Sequence, residues 1–226
     1  MRGVCLRVPF LRGPYAWFAA ARKLGFKTVR FNKEYYRALE GPPSPLIPGA
    51  AEMQREMAAS TSTDIIFSIA VAFCNPSPLF LEDMIRSVQR QSYSGWQLCL
   101  ADSGNNDGAG DIAHQYAKND ARILYKKLPA NASLSGAANE AIAMATGDYV
   151  VLLNHNDILN LNALYEMRQA ICEQQADFLY SDHITFQNDN LADTTTVALK
   201  PDFAPDTLRS WNYIGSFVVF KRTLMD

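Results

Sequence analysis

The sequence predicts an α/β fold: a mainly parallel, Rossmann-like sheet flanked by helices, spanning residues 64–226. Three observations carry this expectation. Short apolar runs rich in β-branched residues alternate five times with segments whose apolar residues recur at helical spacing. The first run is apolar on both faces, as befits a strand covered by helices on each side. Polar turn formers gather immediately after the runs and are scarce within them.

In chain order, residues 1–40 form a basic, aromatic N-terminal arm. It holds nine Lys/Arg against two Glu, so it carries +7 and leaves −9 for the rest of the chain. Residues 41–63 form a linker, because Gly41-Pro42-Pro43-Ser44-Pro45, Pro48-Gly49 and Ser60-Thr61-Ser62-Thr63 cannot bury a core. The first strand is Ile65 to Phe73. Ser77-Pro78 then offers an N-cap and a first-turn proline to a helix with Leu81, Met84, Ile85 and Val88 on one face. Strand Gln97 to Ala101 ends in the turn formers Asp102 to Gly108, and a helix with Ile112, Tyr116 and Ala117 follows. After strand Arg122 to Tyr125, the helix Ser133 to Ala145 places Leu134, Ala137, Ala138, Ala141, Ile142 and Ala145 toward the sheet. Thr146-Gly147 ends it. Strand Asp148 to Leu153 runs into Asn154-His155-Asn156-Asp157. A helix with Leu161, Leu164, Met167 and Ile171 leads to strand Asp177 to Ser181, and Phe217 to Phe220 reads as a further strand.

Composition narrows the function. With 226 residues, 48% hydrophobic and 19% charged, the chain is an ordinary globular protein. Its longest apolar stretch, Ile65 to Cys74, is too short to span a bilayer. An acidic body argues against a nucleic-acid binder, so any polyanion contact falls to the arm. The arm admits two readings, peripheral contact with an anionic membrane or packing on a neighbour. Cys5, Cys74, Cys99 and Cys172 show no CxxC spacing and read as reduced, buried thiols of a cytoplasmic protein.

Right-handed crossovers bring the strand C-termini to one edge, where ligands of open α/β sheets bind. The residues there are Phe73 to Asn75, Asp102 to Asp107, Asn154 to Asp157 and Ser181 to His183. P-loop, GxGxxG and GxSxG patterns are missing, which argues against nucleotide hydrolysis, classical dinucleotide binding and α/β-hydrolase chemistry. His155 and His183 fall on this edge, each readable as a ligand contact or as a structural hydrogen-bonding residue; His114 reads as a solvated helix residue.

The runs Phe67–Asn75, Leu100–Ser103, Asn131–Asn139, Ala145–Tyr149 and Leu152–Asp157, with Leu199–Asp206 and Trp211–Gly215 beyond them, resemble in order and spacing the family 2 glycosyltransferases of GT-A fold. The pattern is nearest to rhamnosyltransferase-like enzymes of bacterial surface polysaccharide synthesis. The resemblance implies transfer of a sugar, with inversion, from a nucleotide-diphosphate sugar to a glycan or lipid-linked glycan acceptor at the inner face of the membrane. It implies nucleotide-sugar contacts from Phe73, Asn75, Asp102, Asn131, Ser135, Asn139, His155 and Asp182. Asn131 and Ser133 equally fit helix capping.

Two departures matter. The family's acidic metal motif stands here as Asn154-His155-Asn156-Asp157, so the metal positions Asn154, Asn156 and Asp157 offer one carboxylate, and Mg²⁺ or Mn²⁺ is expected to bind weakly or not at all. Asp182-His183 likewise replaces an acidic pair. The family's catalytic carboxylate lies beyond the strand Phe217 to Phe220, and the sequence ends at Asp226 before it, so the catalytic residue is unknown and the fold is expected to be C-terminally incomplete. A non-catalytic domain that binds a nucleotide or a partner is the alternative expectation.

Overall fold

A computed structural model describes residues 2–5, 50–59, 65–105, 107–129, 132–187, 190–198, 200–201 and 203–225. In chain order the strands are β1 (Arg2–Cys5), β2 (Phe67–Phe73), β3 (Trp96–Asp102), β4 (Ile123–Lys127), β5 (Tyr149–Leu152), β6 (Asp157–Leu159), β7 (Phe178–Tyr180), β8 (His183–Gln187), β9 (Asn190–Ala198) and β10 (Val218–Lys221). The helices are α1 (Ala50–Ala59), α2 (Pro78–Gln89), α3 (Asp107–Asn119), α4 (Leu134–Ala143), α5 (Ala163–Gln174) and α6 (Pro205–Ser210).

The main sheet has six strands in the order β4-β3-β2-β5-β10-β7. The first four are parallel, as the alternating pattern predicts. The sheet is mainly and not wholly parallel: β10 runs antiparallel between β5 and β7. A second sheet, β6-β1-β8-β9, stands beside it, its β8–β9 pair antiparallel. The segment expected to be a linker contains α1, whose AAEMQREMAA sequence is rich in strong helix formers. Glu56 of α1 is 5% exposed and accepts a hydrogen bond from Asn162 Nδ2 at 3.3 Å. Burial pushes its carboxyl above the ordinary range.

The apolar positions of β2 divide between two packing layers. Phe67, Ile69, Val71 and Phe73 pack with Leu81, Met84, Ile85 and Val88 of α2 and with Leu164 and Met167 of α5. Full burial of each such side chain stabilises the fold by about 2 kcal/mol. Ala70 of β2, Ala101 of β3 and Val150 of β5 pack with Ala137 and Ala141 of α4, small residues that let helix and sheet approach closely. Leu134 departs from that expectation: it opens α4 and is exposed. Ser77 contributes its carbonyl to the start of α2, accepting from the Phe80 and Leu81 N–H groups, and its hydroxyl makes no cap. At Gly147 a Cβ would collide with the Ile66 carbonyl and lie 2.9 Å from Ser68 Oγ, so the α4–β5 turn requires glycine.

Candidate functional site

Parallel strands β2, β3, β4 and β5 end together, and the strand ends build the site. Asp102 closes β3, opposite Lys127 of β4 in the ladder. The carboxylate is 1% exposed and fully engaged: Oδ1 accepts the Gly104 N–H at 2.8 Å, and Oδ2 accepts Tyr125 Oη at 2.9 Å and Lys127 Nζ at 2.8 Å. Gly110, in the first turn of α3, makes room for this cluster, since a Cβ there would lie 2.8 Å from Asp102 Oδ2. Gly110, Asp111, His114, Tyr125 and Lys127 line an adjoining pocket of about 190 Å³.

Beside it, Asn75 takes a left-handed backbone conformation (φ 48°), tolerable for asparagine. Its Oδ1 accepts the Asn105 N–H at 2.9 Å and its Nδ2 donates to Asn105 Oδ1 at 2.8 Å, locking the β2 and β3 loops together. Phe73, a proposed nucleotide contact, turns its ring fully into the core, and its carbonyl accepts the Ser103 N–H at 3.0 Å. Cys74 is a correction: β2 ends one residue earlier, and the thiol expected to be buried is exposed on this edge, as Cys172 is on α5. Cys99 alone of these three is buried, its thiol pushed up to about 12 by desolvation.

Between β5 and β6 the chain turns through Asn154-His155-Asn156-Asp157, closed by the Asp157 N–H to the Asn154 carbonyl at 3.1 Å. Asn154 is exposed and donates Nδ2 to Asp157 Oδ2 at 3.1 Å, while Asp157 is 4% exposed. His155 is half-buried and hydrogen-bonds the Ala72 backbone, tying this turn to the end of β2. Burial holds its imidazole below the ordinary histidine range, opposed by that hydrogen bond. Among the described residues no group of three His, Cys, Asp or Glu could hold a metal ion.

The third group follows β7. Asp182 Oδ1 accepts the Lys200 N–H at 2.7 Å. His183 Nδ1 is buried with no hydrogen-bond partner among the described residues. Burial lowers the His183 pKa, the neighbouring Lys200 adds to that, and Asp182 opposes it. Lys200 Nζ donates to the carbonyls of Ile214 and Ser216 in the loop entering β10. That loop carries two left-handed residues, Gly215 (φ 65°) and Phe217 (φ 58°).

Of the remaining expected contacts, Ser135 and Asn139 lie exposed on α4. Ser133, not Ser135, caps that helix, accepting the Gly136 N–H at 3.0 Å. Asn131 lies outside the described residues. Sequence reasoning missed Tyr125, Lys127 and Lys200. The first two were accessible from strand alternation, since residues two apart on β4 share a face; Lys200 lies inside the Leu199–Asp206 run but acquires its setting only through β10.

A parallel sheet with polar groups concentrated at its strand ends and an antiparallel strand inserted late is an α/β domain of GT-A fold. The chain belongs to glycosyl transferase family 2, whose sequence model matches residues 68–226. Protein y4gI of Sinorhizobium fredii is 36% identical over 165 residues, covering 71% of this chain and 18% of that protein. O-antigen biosynthesis protein RfbC of Myxococcus xanthus is 28% identical over 177 residues, covering 77% of this chain and 14% of its own length. The chain thus spans less than a fifth of either relative. Among solved structures, residues 1–349 of S. aureus TarS superpose with a TM-score of 0.57 at 18% identity, over 71% of this chain and 48% of that one. The mannosyltransferase PcManGT of Pyrobaculum calidifontis, solved with GDP-Man and Mn²⁺, gives 0.50 at 16% identity, over 76% of this chain and 52% of that one.

Proposed function

We propose that this chain takes a nucleotide-diphosphate sugar at the strand-end edge and serves its transfer, with inversion at the anomeric carbon, to a glycan or lipid-linked glycan acceptor in bacterial surface polysaccharide assembly. The observation that carries the reading is the buried Asp102 carboxylate at the end of β3, held by three donors beside the interlocked Asn75–Asn105 loops. A carboxylate fixed in this way orients its surroundings for the N–H and O–H groups of a base and ribose. Family membership and the name of RfbC support the polysaccharide setting. The rhamnosyltransferase-like subtype remains part of the proposal.

The test is calorimetric titration with UDP-glucose, GDP-mannose and dTDP-glucose. At least one binds, and Asp102→Ala, which releases the Gly104 N–H, Tyr125 and Lys127 from their shared anchor, weakens it by about tenfold or more. Failure of every donor to bind at millimolar concentration overturns the reading. The amides at Asn154 and Asn156 favour a second reading, a binding domain without turnover; release of free nucleotide from a bound donor in the presence of acceptor excludes it.

A further inference from the structure

The pocket beside Asp102 opens between α3 and β4, the outermost strand of the main sheet on that side. Its volume is about 190 Å³. Sites that enclose a whole small-molecule ligand run to about 300–1,000 Å³, so this one suits a single planar ring. Asp111 and His114 stand three apart on α3, sharing a face of the helix, and both are exposed. The His114 and Tyr125 ring centroids lie 5.8 Å apart at an interplanar angle of 34°, giving the pocket an aromatic side. Gly110 leaves bare backbone beside the ammonium of Lys127: a Cβ there would lie 3.8 Å from Nζ.

One ammonium and one carboxylate line this pocket, and they form no ion pair with each other. Lys127 gives one N–H to Asp102 at 2.8 Å, and an ammonium has three. Its other two N–H groups and the Asp111 carboxylate have no partner among the described residues. Asp102 itself is 1% exposed with both oxygens committed, so it acts through the group it holds. A carboxylate only accepts and an ammonium only donates, so the fitting guest is a neutral ring with a donor beside an acceptor. Uracil, thymine and guanine each present such an edge, a ring N–H next to a carbonyl oxygen. Position agrees with this chemistry. In the order β4-β3-β2-β5 the pocket stands three strand spacings, about 14 Å, from β5. An extended nucleoside diphosphate covers that span, with its base at β4 and its phosphates toward the ends of β2 and β5.

We infer that the donor's base is read in this pocket, its ring N–H on the Asp111 carboxylate and the adjoining carbonyl on Lys127, while Asp102 positions Lys127 and does not touch the base. The inference rests on the donor-site reading above, and the experiment separates the two. UDP-glucose, GDP-mannose and dTDP-glucose are titrated calorimetrically into the 226-residue chain. The donor that binds most tightly is then compared with the same donor methylated at its ring N–H, in the parent chain and in Asp111→Ala. Methylation is expected to cost the parent about fivefold or more in affinity and the variant almost nothing, a coupling of at least about fivefold between that N–H and Asp111. A smaller coupling, with the donor still bound by the parent, overturns the inference and leaves the donor site standing. Asp111 is exposed and its carboxylate holds no other element, so the variant is expected to keep the parent's circular dichroism. Where it does not, the parent chain decides alone: a methylation cost of about fivefold or more supports the inference, and a smaller one overturns it. No donor bound by the parent takes down both readings.

Discussion

Asp102 commits both carboxylate oxygens to partners within the chain, and the glycines around it are what permit this. Gly104 offers its N–H from a position where a Cβ would lie 2.5 Å from Asn75 Oδ1, and Gly110 would press a Cβ to 2.8 Å from Asp102 Oδ2. Gly110→Ala therefore pushes Tyr125 and Lys127 off the carboxylate. Its expected signature is a loss of donor affinity larger than its loss of stability, read by comparing calorimetric titration with urea unfolding. Gly147→Ala acts in the opposite proportion. Its Cβ meets the Ile66 backbone just before β2, whose carbonyl is held by the Asp148 and Tyr149 N–H groups and cannot give way, so urea unfolding is expected to show a loss of about 1–3 kcal/mol. At this scale the sequence shows which residues stand at the edge but not where they point. Phe73 and Asn75 are two apart in the sequence, yet one ring is sealed in the core and the other side chain is exposed, because β2 ends between them and Asn75 turns left-handed.

Among the elements, the α3–β4 connection is held by a charge cluster that makes its stability pH-dependent. Asp120 accepts Arg122 Nε at 3.0 Å, Nη2 at 2.8 Å and the Arg122 N–H at 3.1 Å, and Gln89 Nε2 of α2 at 3.3 Å. The Arg122 guanidinium stacks 3.7 Å over Trp96. The Arg122 side chain holds the Asp120 carboxyl down at about 2, from an ordinary 3.8. A depressed pKa gives stability that is present above 3.8 and lost as pH falls toward 2. Asp120→Asn removes a contribution of about 2 kcal/mol near neutrality and leaves the protein less sensitive to acid across that window, which urea unfolding from pH 5 to pH 2 checks. Element by element, strong periodicity made α2 and α5 legible, and their predicted faces are the buried ones. Helix α1 was hidden by its Pro- and Ser-rich flanks, although its own ten residues are good helix formers. The β8–β9 pair carries threonine and aspartate in place of an apolar run, so no strand signal stood out from the sequence there.

For the whole molecule, order in sequence foretells the four parallel strands and leaves the places of the fifth and sixth open. Alternation predicts neighbours from adjacency along the chain, whereas β10 pairs with β5 across 66 positions in the Val218–Leu152 rung, a contact that no local pattern encodes. The edge that sequence reasoning selects is nonetheless the edge where the polar groups meet, since strand direction alone decides which ends coincide. Thiol chemistry reports on this architecture. Exposed Cys74 and Cys172 are expected to alkylate rapidly in the native chain, and Cys99 only at the rate of global opening, because burial disfavours its thiolate. A bound sugar nucleotide should slow Cys74 and leave Cys172 unchanged, measured by peptide mass after timed iodoacetamide treatment. The placement of β10 also bears on how the protein is made. Strand β7 bonds to β10 in the main sheet, and β5 shares its outer edge with the same strand. As the chain leaves the ribosome, β5 and β7 must therefore wait with open backbone edges until residues 218–221 emerge to seal them. That interval leaves two unpaired edges open to neighbouring chains, and the arrival of β10, made after both of its partners, closes them and ends their exposure to misassembly.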